Sequence, residues 1–196
     1  VMIESATQRL AAFGALKRRW MARDNGARGA AGTQPSSSGL PTFSAVQPEL
    51  FAAGGALSNA FADIDNDGDL DLFVGFGGTP NRLYENSRGV FRDVAIVAGV
   101  ADARATRAAA FSDFDADGDS DLLVGFAAGA GPVLRLYRND KGRFTDITAA
   151  SGLIMDRGAV RQPAFVDVDG DGDLDLFVAF RDRANMLFRN TSGRFT

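Results

Sequence analysis

Short apolar runs recur through residues 42–196, each closed by a polar or glycine-bearing turn. The first set is Ala60-Phe61, Leu72-Phe73-Val74, Leu83-Tyr84 and Phe91. The second is Ala110-Phe111, Leu122-Leu123-Val124, Leu136-Tyr137 and Phe144, and the third is Ala164-Phe165, Leu176-Phe177-Val178, Leu187-Phe188 and Phe195. Runs this short, rich in aromatic and branched residues and bounded by Gly, Asn and Asp, read as strands. In the first set they predict strands over 57–62, 70–76, 81–86 and 90–95, with matching strands in the later sets.

The polar positions repeat with the apolar ones. Arg82-Leu-Tyr-Glu-Asn86, Arg135-Leu-Tyr-Arg-Asn139 and Met186-Leu-Phe-Arg-Asn190 each turn through a glycine (Gly89, Gly142, Gly193) into a Phe. Equivalent acidic positions start 50 and 54 residues apart, and the turn Phe residues lie 53 and 51 apart. A period near fifty with four short strands per unit predicts an all-β fold of β-propeller blades, each of four antiparallel strands. Three copies predict about three blades, a partial propeller. Phe61, Phe73, Phe91 and their equivalents are expected to fill the apolar space between stacked blades. Gly129-Ala-Gly-Pro-Val133 falls where the second copy is longer and reads as a loop insertion.

Between the first and second strand of each copy lies a nine-residue acidic loop: 63–71, 113–121 and 167–175. Carboxylates occupy every second position, and Gly68, Gly118 and Gly172 stand at position 6. Calcium takes six to eight oxygen ligands in a flexible shell, and a short loop with a glycine turn can wrap it. Positions 1, 3, 5 and 9 offer side chains: Asp63, Asp65, Asp67 and Asp71; Asp113, Asp115, Asp117 and Asp121; Asp167, Asp169, Asp171 and Asp175. Position 7 offers a backbone carbonyl, at Asp69, Asp119 and Asp173. Two carboxylates about 5 Å apart repel by roughly 3 kcal/mol at an effective dielectric near 20, so four around one point call for a cation. Magnesium prefers a rigid octahedron and keeps its waters, which leaves Ca²⁺, about three ions, one per loop. An EF-hand is excluded: its twelfth position should be Glu and is Val74, Val124 and Val178, and the chain continues into a strand, not a helix.

Composition sharpens this picture. The formal charge is −4, yet the three loops hold 15 of the 25 acidic residues. The remaining ten face 21 basic residues, so acidity is concentrated at the loops, and three divalent ions would bring the charge to +2. The arginines are too dispersed to predict nucleic-acid binding. There is no Cys, hence no disulfide framework, and no His, hence none of the usual general bases or Ser–His and Cys–His pairs. No apolar run approaches a membrane span of about 20 residues.

The start of the chain departs from the repeat. Ile3, Ala6, Leu10, Phe13, Leu16 and Trp20 follow helical spacing among Arg9, Lys17, Arg18, Arg19 and Arg23, predicting a basic amphipathic helix over 1–25. It reads as a surface helix, with a membrane-surface anchor as the alternative. Residues 26–41, with Gln34-Pro-Ser-Ser-Ser-Gly39, read as a flexible linker.

The combination Ala-Phe-x-Asp-x-Asp-x-Asp-Gly-Asp-x-Asp, Leu-Phe-Val, Leu-Tyr-x-Asn, Phe-x-Asp-Val and Ala-Gly-Val resembles the FG-GAP/VCBS repeat family. Its blades also build the integrin α-subunit head, and the pattern is most similar to bacterial proteins like cartilage acidic protein. The resemblance covers residues 41–196. It implies a propeller, usually of seven blades, with calcium loops between strands 1 and 2. It also implies an extracellular, cell-surface or periplasmic place and a role in adhesion or recognition. A ring of seven such blades needs about 350 residues, so a fragment of a longer protein is expected, or self-association through open blade edges. The expected function is a calcium-binding, non-catalytic extracellular recognition or adhesion module with a protein or carbohydrate ligand. The alternative is a propeller scaffold or accessory domain of a larger secreted enzyme, carbohydrate-active or phosphoesterase.

Overall fold

Strands β1 (Ala56–Ala62), β2 (Asp71–Phe76), β3 (Arg82–Ser87) and β4 (Val90–Asp93) pair antiparallel in that order, forming one four-stranded sheet. The computed structural model describes residues 44–196, and within them Ala45–Thr196 forms one unit. The expected helix over 1–25 and linker over 26–41 lie outside the described residues. After α1 (Ala95–Ala98), a second sheet repeats the first: β5 (Thr106–Ser112), β6 (Asp121–Phe126), β7 (Leu134–Asp140) and β8 (Arg143–Asp146).

The third sheet has β9 (Val160–Val166), β10 (Asp175–Phe180) and β11 (Met186–Phe188), continued by the hairpin β12 (Asn190–Thr191) and β13 (Arg194–Phe195). Arg189 and Thr196 exchange both backbone hydrogen bonds, at 3.0 and 2.9 Å, so the hairpin completes a fourth-strand position. The described residues are therefore nearly all β, in propeller-like blades. Pro163 is tolerated in β9 because the first strand of each blade is an edge strand.

The first strands of consecutive blades, β1, β5 and β9, lie closest together, and the blades stack face to face from there. Between blades one and two, Phe73, Leu83 and Ile64 meet Leu122, Val124 and Tyr137. Between blades two and three, Phe114, Leu123 and Leu136 meet Leu176, Val178 and Phe195. Side chains alternate across each strand, so each blade feeds two interfaces. Burying a Phe or Leu side chain this way contributes about 1.5–3 kcal/mol.

Close approach of blades at their inner ends fixes two glycines. A Cβ on Gly75 would fall inside contact distance of Thr106 Cγ2, and one on Gly125 inside contact distance of Val160 Cγ1. Thr106 and Val160 are buried at these contacts.

Two expectations need correction. The fourth strand was expected over 90–95, but it stops at Asp93, and Ala95–Ala98 is helical. Asp93 Oδ1 accepts from Ala95 N at 3.1 Å, and Gly99 closes the turn in the left-handed region at φ 85°. Ala95 and Ala98 face inward while Ile96 and Val97 face out, which satisfies the short helix through two small residues. The aromatic filling is also uneven. Phe73, Phe144 and Phe195 are buried, but Phe61 is 56% exposed and Phe177 is 38% exposed. Phe61 lies on the outer face of the first described blade and Phe177 on the outer face of the third, where no described blade stacks. Phe91 packs edge-on against Phe51 at 5.5 Å.

Candidate metal centres

Each acidic loop joins the inner strand of a blade to its second strand, so strand pairing brings the loop ends together. Ala62 opposes Asp71 and Ser112 opposes Asp121 in register, and Val166 opposes Asp175. Between those anchors the loop must curl tightly. Gly68, Gly118 and Gly172 take φ values of 94°, 95° and 98°, the conformation that glycine supplies without steric cost. Position 4 is left-handed as well, at Asn66 (62°), Ala116 (59°) and Gly170 (77°).

The curl places three carboxylates of each loop around one point. In the sets Asp63, Asp65, Asp71; Asp113, Asp115, Asp121; and Asp167, Asp169, Asp175, oxygen atoms lie within 4.8 Å of one another. These are positions 1, 3 and 9, and each set could hold a metal ion. Position 5 (Asp67, Asp117, Asp171) stands outside these sets, and its Oδ1 accepts from the position-7 N–H at 2.8, 2.9 and 2.9 Å. The position-7 side chains turn elsewhere. Asp69 accepts from Arg88 N at 2.6 Å and Asp173 from Ser192 N at 2.8 Å, while Asp119 accepts from Asn66 Nδ2 of the preceding loop at 2.6 Å.

Position 9 is the anchor. Asp71, Asp121 and Asp175 are each fully buried. One oxygen accepts from the backbone N–H just after the loop's first Asp (Ile64, Phe114, Val168; 2.8, 3.3 and 3.0 Å). The other accepts from the N–H of Asn86, Asn139 or Asn190 in the third strand, at 2.7, 2.8 and 2.8 Å. Each carboxylate oxygen keeps a second lone pair for a ligand bond.

Charge crowding and burial work against ionisation. Burial raises the Asp65 carboxyl most, with the charges of Asp67 and Asp63 adding to it. Burial likewise raises Asp71 and Asp115, and pushes Asp121 to about 7 against the opposing N–H donors of Asn139 and Phe114. Asp175 goes the other way: the Asn190 and Val168 N–H groups lower it, helped by Arg189. Asp175 is shielded from solvent at its own surface, but on the outer blade too few protein atoms surround it for burial to dominate. In the second loop Asp113 Oδ1 and Asp115 Oδ1 are buried with no hydrogen-bond partner among the described residues. Such oxygens carry a desolvation cost unless a cation meets them. An all-oxygen donor set of this kind fits a hard divalent ion.

The side chains of Asn86, Asn139 and Asn190 were not predicted to have a role. Each Oδ1 caps the hairpin turn by accepting from Gly89, Gly142 or Gly193 N, at 2.8, 2.9 and 2.9 Å. Their recurrence two residues after Leu-Tyr or Leu-Phe was visible as a motif. The signal that could have found them is a polar residue kept at a fixed place inside an apolar strand, since such a residue is stable there only if bonded.

Matches to the family described as FG-GAP-like repeat cover residues 63–124 and 113–178. The chain belongs to this family. Each match begins at position 1 of an acidic loop and runs through the next loop to Val124 or Val178 in the strand beyond it. No curated protein matches the chain. Each match spans two acidic loops and one of the strand asparagines, Asn86 or Asn139, while Asn190 lies beyond them, and the chain is a repeat module. Among the described residues, no helix is long and apolar enough to cross a membrane.

Proposed function

We propose that this FG-GAP-like chain is a calcium-binding, non-catalytic recognition module that works outside the cytoplasm, each blade being held by one Ca²⁺. The observation that carries the reading is the pair of buried, unpartnered oxygens on Asp113 and Asp115 within a three-carboxylate cluster. Oxygen-only donors on a flexible loop favour calcium over magnesium, and the raised Asp65, Asp115 and Asp121 carboxyls are what three adjacent acids do before a cation neutralises them. The extracellular, cell-surface or periplasmic part of the reading rests on the usual place of FG-GAP-like repeats; at extracellular calcium even sites as weak as about 10⁻⁴ M would be mostly filled.

In this reading the clustered carboxylates at positions 1, 3 and 9 of the loops are used as ligands, and blade surfaces remain for a protein or carbohydrate partner. Calcium titration of chelator-treated protein by calorimetry, with the melting temperature followed in parallel, tests it. Uptake of about three ions with a rise in melting temperature supports the reading. No uptake, with melting unaltered by chelator, overturns it.

A further inference from the structure

The inner strands share an irregularity at the end opposite the metal loops. Ala56 opposes Phe76 and Ser58 opposes Gly75, so Leu57 is an extra, unpaired residue. The same bulge leaves Arg107 unpaired in β5 and Arg161 unpaired in β9. A bulge re-aims its side chain out of the regular alternation, and bulges recur at sheet edges, at barrel rims and beside active sites.

These bulge residues line one cleft of about 450 Å³, together with Ala127, Val160 and Arg181. Three of its lining side chains are arginines and none is acidic. Among the described residues, no carboxylate lies within ion-pair distance of Arg107, Arg161 or Arg181, although Arg82, Arg92, Arg104, Arg135 and Arg189 each have at least one. Asp182, next to Arg181, has its Oδ1 engaged by Ala159 N at 2.8 Å.

The blade fold does not require these charges. The position of Arg107 and Arg161 is Leu57 in the first blade, and the position of Arg181 is Gly77 in the first and Ala127 in the second. Nor do the acidic loops neutralise them. A seven-residue strand separates the two ends by about 20 Å, beyond a Debye length of about 8 Å at physiological salt.

We propose that this cleft is a binding site for a ligand carrying two or more oxyanion groups of the sulfate or carboxylate type. Guanidinium groups present planar donor forks that match such anions, and Leu57 and Val160 supply an apolar wall beside them.

The test is calorimetric titration of the calcium-saturated full chain with sucrose octasulfate and, separately, with tricarballylate, using sucrose as the uncharged control. Saturable binding of either probe, weakened about tenfold by Arg107→Ala and by Arg161→Ala and unaffected by Arg143→Ala on an outer strand, is the expected result. Leu57→Arg, which adds a third bulge arginine, should tighten binding. The probe that binds identifies the anion type. Binding of neither probe, or equal weakening by Arg143→Ala, overturns the proposal. Unchanged melting temperatures of the exposed-arginine variants separate loss of the site from loss of the fold.

Discussion

Asn139 Nδ2, in the third strand of the second blade, donates to the Ile64 carbonyl oxygen inside the acidic loop of the first blade, at 2.8 Å. Asn190 repeats this on Phe114 O in the second loop, at 2.9 Å. Each of these loops is therefore closed from within by its own Asp71 or Asp121 and held from outside by the next blade. Asn190 also donates to Leu174 O of its own loop at 3.0 Å, the bond that Asn86, with no described blade before it, makes to Leu70 O at 3.0 Å.

Asn139→Ala removes the buried bond to Ile64 O and the part-buried cap on Gly142 N together. The expected loss is about 2 kcal/mol, since buried polar groups are left unpaired. Asn86→Ala, whose bonds are exposed, should cost less. Urea denaturation of the two variants in calcium compares them, and equal losses would show that the inter-blade bond adds nothing.

Asp115→Asn removes a charge from the second carboxylate set and should lower calcium uptake by about one ion in three, with a fall in melting temperature. Asp140→Ala, at an exposed strand end, should change neither. Atomic emission after dialysis at fixed free calcium counts the ions directly.

In the proposed calcium site, proton and cation compete at Asp121. Its carboxyl in the metal-free fold titrates near 7, above the ordinary 3.8, so the folded state binds the extra proton. The stability this gives metal-free protein is complete below about pH 4 and is lost as pH rises through 7. Calcium needs the carboxylate, so its affinity should fall, and proton release on binding should grow, as pH drops from 8 to 6. Calorimetry in buffers of different ionisation enthalpy reads the released proton, and Asp121→Asn should abolish the part of it that Asp121 supplies.

Gly75→Ala and Gly125→Ala place a methyl group against Thr106 and Val160 at the inner edge of two blade interfaces. Overpacking there should cost about 1–3 kcal/mol each. Gly68→Ala meets no atom, and its cost comes from φ 94° alone. Trimming Thr106 to Ser removes the nearest of the clashing atoms and should recover part of the lost stability in the Gly75 variant but none in the Gly68 variant, which thermal melts can decide.

Much of the candidate site is legible in the sequence. The spacing of Asp63, Asp65 and Asp71 is a local property, since nine residues pinned between paired strands can curl in few ways. The glycine at position 6 announced the turn, whereas Ala116 at φ 59° in position 4 did not, because an alanine gives no hint of a left-handed backbone. The expected strand ran on to residue 95 for a related reason: Val-Ala-Ile-Val-Ala suits either conformation, and packing of Ala95 and Ala98 against the next blade selects the helical one.

The sequence by itself determined the blade count among the described residues, the strand order within a blade and the acidic loops, because these follow from patterns repeated within about fifty residues. Tertiary structure alone decided what lies between blades. Asn139 and Ile64 are 75 residues apart, and no local pattern names a partner at that distance. Phe61 and Phe111 hold the same place in the repeat, yet only Phe111 packs into an inter-blade core, because burial depends on a neighbouring surface and not on the residue alone. The arginine cleft arose the same way, from bulges in separate strands that converge only when the blades stack.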